Sequence, residues 1–252
     1  MNPAIITTEA IVLQTSDFGE SDRLVTFYTP SGGRMRGIAK AARKSRKRFV
    51  NTFEMLSLIE LSYRERKSLI WIESCRLVEP YLALRTDVER WGYGALVAEV
   101  VLEMVPEGDP QPELFTLICE TLRHLAESRD SVNVLLLFLV RFLDNMGYLP
   151  TLEACGACGR PLREATRWWW NLKRGMLFCP EHRPISEEEH VLDMGSLLLI
   201  QQGRSLPVER MWRLHLVQSK RKALFYGLLD WIRYHIRKDL KSVQWLERLQ
   251  SA

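Results

Sequence analysis

The segment "RLVTFYTPSGGRMRGIAK", residues 23–40, contains two short runs of strand-forming residues on either side of a turn. Val, Thr, Phe and Tyr dominate the first run, and the second contains Met35 and Ile38. The intervening "PSGG", residues 30–33, supplies the Pro and Gly conformations that a tight hairpin needs. The segment therefore predicts a β-hairpin between 23–29 and 34–40.

Three further runs of the same character flank this hairpin: "TEAIVLQT" at 8–15, "EMLSLIEL" at 54–61 and "LIWIESCRL" at 69–77. Five strands in a short stretch, with no amphipathic helix among the first three, predict a small closed barrel. An OB-fold is the leading candidate because five strands is its count and nucleic acid is its frequent ligand. A small SH3-like barrel is the alternative.

The connection between the third and fourth strands is strongly basic. In "IAKAARKSRKRF", residues 38–49, six Lys or Arg stand among the nine positions 40–48, without an acid. Ala41 and Ala42 between them are too small to anchor a core, so we expect the loop not to pack down. Charge runs are usually solvated surface, but this density of cations without acids predicts a clamp for DNA phosphates. The predicted DNA-binding residues are Arg34, Arg36, Lys40, Arg43, Lys44, Arg46, Lys47 and Arg48.

After Pro80 the pattern becomes helical, over 84–105, 112–127 and 132–147. The third of these helices is apolar on nearly every side, which predicts the buried centre of a bundle. Its only cation, Arg141, is expected to snorkel to the surface or to pair with an acid.

Helical periodicity resumes near 194 and ends in a predicted helix over 220–242, where three cations, Arg233, Arg237 and Lys241, run beside an apolar stripe. The predicted fold class is α+β. It comprises an N-terminal five-stranded OB-fold barrel at 1–79 and a mostly helical domain at 80–252, with a zinc-binding insertion at 151–184.

The insertion carries "CGAC" at 155–158 and "CPEH" at 179–182. A two-residue spacing lets both ligands of one turn reach a single tetrahedral ion, so Cys155, Cys158, Cys179 and His182 are predicted to hold one Zn²⁺. Protein ligands fill all four positions, which makes the ion structural and not catalytic. His190 is an alternative fourth ligand with poorer spacing. "RWWWNL" and "GMLFC" between the two turns predict a hairpin.

Other classes of protein are not supported by the sequence. The longest apolar run, "VLLLFLV" at 134–140, is too short to cross a bilayer, and the N-terminus lacks the basic start of a signal peptide. An odd count of five cysteines in a chain expected to be cytoplasmic and nucleoid-associated argues against disulfides. Phosphate-cradling, nucleophile-elbow and zinc-protease motifs are all missing, and no histidine forms a recognisable catalytic dyad, so we do not expect an enzyme.

Four segments, in order over almost the whole chain, resemble the RecO recombination-mediator family of bacterial DNA repair. They are "TEAIVLQTSDFGESDRLVTFYTPSGGRMRGIAKAARKSRKRF" at 8–49, "LVEPY" at 77–81, "FLDNMGYLPTLEACGACG" at 142–159 and "IRYHIRKDLKS" at 232–242. The resemblance implies an OB-fold, a helical domain and an inserted zinc module. Zinc-bearing relatives commonly have Cys where this chain has His182, an exchange that preserves tetrahedral zinc.

The resemblance also implies functions and partners. It implies binding of single- and double-stranded DNA, annealing of complementary strands, and cooperation with RecR and single-stranded-DNA-binding protein in loading RecA. It further implies that the helical domain binds the acidic, apolar C-terminal tail of single-stranded-DNA-binding protein, for which Arg233, Arg237 and Lys241 are the local candidates. The alternative is a non-catalytic zinc-containing scaffold whose basic loop docks an acidic partner.

Overall fold

The computed structural model describes residues 3–45, 47–66, 69–150, 152–183 and 189–250. The chain forms two compact units, the first from residues 1–128 together with 240–252 and the second from residues 129–239. With elements numbered along the chain, the first unit contains β1 (Ile6–Phe18), β2 (Asp22–Thr29), β3 (Gly33–Ala39), β4 (Leu58–Arg66), β5 (Leu69–Glu79), α1 (Leu82–Arg85), α2 (Val88–Met104), α3 (Pro112–Glu127) and α8 (Lys241–Gln250). The second contains α4 (Ser131–Asn145), β6 (Arg167–Asn171), β7 (Met176–Phe178), β8 (Glu189–Asp193), α5 (Met194–Ser205), α6 (Val208–Met211) and α7 (Gln218–Ile236).

The five N-terminal strands close into a barrel in the order β1-β2-β3-β5-β4, with β4 returning to β1. All neighbouring strands are antiparallel except β3 and β5, which are parallel. This is the OB-fold arrangement, so the predicted α+β fold with an N-terminal five-stranded barrel is confirmed. Alternate residues point inward, and Val12, Phe27 and Leu61 lie fully buried in the barrel core.

The fourth strand lies later in the chain than the predicted 54–61. Residues 54–57 instead form a turn in which Leu56 takes a positive φ of 69°. This turn is held because the Leu56 N–H donates to the Val12 carbonyl at 2.7 Å, and the Val12 N–H donates to the Ser57 carbonyl at 3.0 Å. The strand therefore begins at Leu58.

The helix predicted over 84–105 is interrupted near Thr86. The Asp87 side chain accepts the Arg90 N–H and caps α2, which is how a short polar residue usually begins a helix.

At the other end of the chain, α8 packs on α2, where a Cβ on Gly92 would lie 2.4 Å from the Trp245 ring. The C-terminal helix thus belongs to the barrel-containing unit.

In the second unit α4 is buried along most of its length, as its apolar sequence predicts. Arg141 does not snorkel to the surface, and it forms no ion pair with an acid among the described residues. Its guanidinium donates to the Gly203 carbonyl, at 3.0 Å from Nε and 2.7 Å from Nη2, and also to the Leu206 carbonyl. Both carbonyls stand at the C-terminal end of α5, where helix carbonyls lack partners of their own, so Arg141 caps that helix.

The predicted hairpin of the insertion is present as β6 and β7. A third strand, β8, pairs with the other edge of β6, so this sheet extends past the predicted 151–184 insertion. Trp168 and Trp170 are fully buried, and the ring of Trp170 lies 5.5 Å from that of Trp231 on α7. These two tryptophans therefore form the hydrophobic core beneath the sheet.

The helix predicted over 220–242 ends at Ile236, so that prediction is wrong for its last six residues, 237–242. Arg237 takes a left-handed conformation with φ 57°, which closes α7.

No helix within the described residues is long and apolar enough to cross a membrane.

Candidate metal centre and nucleic-acid interface

Four side chains of the second unit come together as predicted from their spacing. The ligand atoms of Cys155, Cys158, Cys179 and His182 all lie within 4.8 Å of one another. The Cys158 and Cys179 sulfurs are 3.9 Å apart, and the Cys179 sulfur is 3.2 Å from His182 Nδ1. Tetrahedral zinc with Zn–S bonds of about 2.3 Å would separate two sulfurs by about 3.8 Å, so the cluster fits a metal ion of this kind.

Local backbone contacts build both turns of the cluster. The Gly159 N–H donates to the Cys155 carbonyl at 2.9 Å, and Gly159 adopts a φ of 71° that favours glycine. The Gly156 N–H donates to the Leu177 carbonyl at 2.8 Å, which fastens the first turn to β7. The second turn is a single 3₁₀ turn, Pro180–His182, closed by the His182 N–H on the Cys179 carbonyl at 3.0 Å.

The surroundings of the two buried thiols, Cys155 and Cys179, shift their pKa values in opposite directions. Burial alone would raise the pKa of Cys155, but N–H groups of Cys179, Ala157 and Cys158 outweigh it and lower that pKa to about 6. Burial raises the pKa of Cys179 to about 11. A bound cation would displace the proton of Cys179, because only the thiolate is a strong ligand.

His190 is not part of the cluster. It lies on β8, with its Nε2 3.0 Å from a carboxylate oxygen of Asp230 on α7. Among the described residues, the cluster of possible metal ligands contains His182 and not His190. Of the two histidines left open by the sequence, the geometry therefore favours His182 as the fourth ligand.

The basic segment packs against the barrel, contrary to expectation. Residues Ala42–Lys44 form a 3₁₀ turn, and Ala42 and Phe49 are buried in the barrel core. The expectation of an unanchored loop failed because Phe49, at its end, supplies the large apolar side chain that the alanines lack. Arg46 lies outside the described residues.

Acids from other parts of the chain pair with several of the predicted DNA-binding cations. Asp22 accepts the Lys40 ammonium at 2.7 Å and the Ala41 N–H at 2.8 Å, and these bonds, the backbone one foremost, lower the pKa of Asp22. Arg43 Nε lies 3.5 Å from an oxygen of Asp17. The segment is therefore not free of neutralising acids, although the acids are distant in sequence.

The other predicted cations differ in how far their charge is open to solvent. Lys44 and Lys47 are exposed, and no ion pair is found for either within the described part of the chain. Arg48 donates to the Lys40 carbonyl at 3.0 Å and stacks over Phe49, 4.8 Å from the ring centre. Arg34 and Arg36 of β3 share one acid, Glu107, at 3.8 and 3.9 Å.

One aromatic residue near these cations was not singled out from the sequence. Trp71 of β5 is the register partner of Ile38 on β3, and the Lys40 ammonium lies 6.0 Å from its ring centre. A cation beside a partly exposed indole suits contact with nucleic acid. Its position beside β3 depends on the parallel β3–β5 pairing, which no sequence pattern here indicates.

The three cations proposed for an acidic tail lie on two different elements. Arg233, near the end of α7, is 2.8 Å from Asp230 and 3.9 Å from Asp239. Arg237 is exposed directly after α7, whereas Lys241 begins α8, with its backbone N–H donated to Glu99 at 2.8 Å. The three cations therefore do not lie along one helix, as their spacing in the sequence had suggested.

Comparison with known proteins places the N-terminal and the C-terminal parts of the chain in one family. The profile described as "Recombination protein O N terminal" matches residues 1–81, and "Recombination protein O C terminal" matches residues 85–244. The DNA repair protein RecO of Syntrophobacter fumaroxidans is 60% identical over 244 residues, covering 97% of this chain and 98% of that protein. The DNA repair protein RecO of Syntrophus aciditrophicus is 32% identical, covering 96% and 95% of the two chains.

Proposed function

Because this chain belongs to the RecO family of DNA repair proteins, we propose that it is a DNA-binding recombination mediator. It binds single- and double-stranded DNA and anneals complementary strands. The observation that carries the proposal is the run of cations on β3 and the following segment of an OB-fold barrel, with Lys44 and Lys47 exposed to solvent. OB-folds commonly bind oligonucleotides on the face formed by their second and third strands, and β3 is the third strand here.

Annealing requires no bond chemistry, so the proposed function needs no catalytic residue. Two DNA strands repel each other through their phosphates, and a cationic surface that binds both reduces that repulsion and raises their local concentration. Contacts to the phosphate backbone suit this task because they leave most base edges free to pair. We place the protein in the cytoplasm, in association with the nucleoid.

The direct test is annealing of complementary labelled oligonucleotides, with and without single-stranded-DNA-binding protein. We expect faster annealing, with a rate that falls as salt rises. Absence of DNA binding at low salt would instead favour a scaffold whose basic segment docks an acidic protein. Divalent-metal-dependent cleavage of the same DNA would contradict a function without catalysis.

We also propose that Cys155, Cys158, Cys179 and His182 hold one structural Zn²⁺. Three thiolates and one imidazole form a donor set that zinc prefers, and all four positions are filled by the protein. Elemental analysis should find one zinc per chain in the wild type and much less in Cys158→Ser, whose melting temperature should also fall. Stoichiometric iron, or no metal in the wild type, would contradict the assignment.

The proposed partners are RecR, single-stranded-DNA-binding protein and, through them, RecA. Arg233, Arg237 and Lys241 remain candidates for the acidic tail of single-stranded-DNA-binding protein. Arg237 and Lys241 are both exposed, whereas Arg233 is half-buried. Fluorescence anisotropy of a labelled tail peptide should show weaker binding to Arg237→Glu. Unchanged affinity in Arg233→Glu/Arg237→Glu would remove these residues from the tail site.

A further inference from the structure

A cavity of about 360 Å³ lies in the first unit, beside the strand that carries Arg34 and Arg36. Its size falls at the lower end of the range for small-ligand sites. The lining combines two chemistries. Its apolar part comes from Met35, Tyr63, Leu69 and Ile70, and its charged part from Arg34, Arg36, Glu65 and Glu107.

Glu107 stands between the two arginines without bonding tightly to either. Its carboxylate is 3.8 Å from the Arg34 guanidinium and 3.9 Å from that of Arg36, both beyond hydrogen-bond distance. The Glu107 side chain is 53% exposed, whereas that of Arg34 is 17% exposed. The Arg34 Nε is buried and finds no acceptor among the described residues. A buried donor without an acceptor is unfavourable, and an additional anionic oxygen would satisfy it.

The backbone that carries Glu107 is held in place, so only its side chain is free to move. The Gly108 N–H donates to the Arg34 carbonyl at 2.9 Å, and residue 107 forms a bridge with residue 34. The two segments approach so closely that a Cβ on Gly33 would lie 2.2 Å from the Asp109 carbonyl oxygen. Rotation of the Glu107 side chain alone would leave Arg34 and Arg36 beside the cavity without an ion-pair partner among the described residues.

We propose that this cavity takes one unpaired base of single-stranded DNA, and that the phosphate of that nucleotide displaces Glu107 from between Arg34 and Arg36. This inference rests on the proposed DNA binding and adds a site that selects single strands. A base held in a duplex is stacked and paired and cannot enter the cavity. In the free protein Glu107 occupies the phosphate position, which limits the self-repulsion of the two arginines. An acidic peptide is the less favoured occupant, because β3 leads directly into the cations of 40–48, which suit a long polyanion.

The first test compares Glu107→Gln with Glu60→Gln. Both changes remove one negative charge from an ion-paired acid of the same unit, since Glu60 lies 3.1 Å from Arg76. By anisotropy with a labelled oligothymidylate, Glu107→Gln should bind several-fold more tightly than wild type. Its log–log salt slope should steepen by about 0.7, the value of one added single-stranded phosphate contact. Glu60→Gln should change little. Equal effects of the two variants would overturn the role of Glu107.

The second test blocks the cavity with Leu69→Trp and uses Leu82→Trp, at a leucine that is 63% exposed elsewhere in the same unit, as the matched control. Leu69→Trp should weaken binding of the oligothymidylate several-fold and leave binding of a blunt duplex unchanged. Equal losses on both DNAs, or no loss on either, would overturn the base site. If Leu69→Trp melts at a lower temperature than wild type, the comparison of Glu107→Gln with Glu60→Gln decides whether the proposal stands.

Two outcomes separate this inference from the function on which it rests. Wild-type protein that binds no DNA would refute the proposed function itself. Normal DNA binding in Leu69→Trp, together with lost binding of a labelled acidic peptide, would assign the cavity to a protein partner and overturn the base site alone.

Discussion

Arg160 and Glu181 join the two turns that carry the metal ligands. Arg160 follows the first turn directly, and its guanidinium pairs with the carboxylate of Glu181 inside the second turn. This pairing, foremost through its hydrogen bond, lowers the pKa of Glu181 to about 2. Because the pair holds the turns together, its loss should let the ligands separate more often. We expect Arg160→Gln to release zinc to a chelator about two- to fivefold faster, the scale of a partly exposed ion pair.

The matched control is Arg163→Gln, an exposed arginine in the same module. If the pair acts as one unit, Arg160→Gln/Glu181→Gln should release zinc no faster than the worse single variant. Additive effects of the two changes would show that each residue acts separately.

His235 provides a test of how burial affects stability with pH. Its ring lies 4.5 Å from that of Trp231 and 4.8 Å from that of Tyr148, and its Nε2 is buried without an acceptor among the described residues. Burial lowers its pKa below the ordinary 6.5. The unfolded chain therefore binds a proton first as pH falls, so stability present above pH 6.5 is lost toward the lower, folded-state pKa.

His235→Phe should reduce this loss, because phenylalanine keeps the aromatic packing and does not titrate. The measurement is the denaturation midpoint from pH 7.5 down to pH 5. His215→Phe, at a side chain that is 64% exposed, serves as the control and should leave the pH dependence as in wild type. A steeper or unchanged pH dependence in His235→Phe would contradict the assignment.

At the scale of an element, the segment from Lys40 to Arg48 divides into paired and unpaired cations. Lys40 and Arg43 contact Asp22 and Asp17, whereas Lys44 and Lys47 stand free of ion pairs with the described residues. Paired cations must exchange a carboxylate for a phosphate, so their net gain on DNA binding is smaller. We expect Lys44→Ala/Lys47→Ala to flatten the log–log salt slope for single-stranded DNA by about 1.4, or 0.7 per contact.

The comparison variant is Lys220→Ala/Lys222→Ala, which removes the same charge from exposed positions at the start of α7. A larger variant replaces four cations with Ala: Arg43, Lys44, Arg46 and Lys47. It should flatten the salt slope further and weaken binding to all DNA sequences alike. Its zinc content and melting temperature should stay nearly unchanged. If the variant folds and keeps the wild-type salt slope, the segment is ordinary solvated surface and does not contact DNA phosphates.

At the scale of the whole molecule, the chain returns to its first unit at its end. The C-terminal helix α8 buries Val243 and Leu246, and its Trp245 packs on Gly92 of α2. Glu99 of α2 also accepts the N–H groups of Lys241 and Ser242, at 2.8 and 2.9 Å. Leu246→Ala should therefore cost about 2–4 kcal/mol of unfolding free energy.

Leu249→Ala, on the same helix at a side chain that is 38% exposed, is the matched control and should change stability by less than about 0.5 kcal/mol. Hydrogen exchange in Leu246→Ala should show lost protection in α2 and little change in α4. Equal loss in both helices would mean that the two units unfold together.

Features set by neighbours in the chain could be predicted from the sequence. The two metal-binding turns need only a two-residue spacing and the right side chains, so Cys155, Cys158, Cys179 and His182 were identified together. The hairpin around "PSGG", the barrel and the buried α4 likewise follow from local turn residues and hydrophobic periodicity. The resemblance to the family was equally readable, because it depends on residue order alone.

Features set by contacts between distant residues were decided only by the tertiary structure. Glu107 reaches Arg34 across more than seventy positions of chain, and Arg141 caps a helix that begins at Met194. The acids beside the basic segment come from the end of β1 and the start of β2. The break at Arg237 and the return of α8 to α2 were also missed, since an apolar face does not specify which partner will cover it. Hydrophobic periodicity determines that a face is buried, whereas the pairing of faces and charges depends on the path of the whole chain.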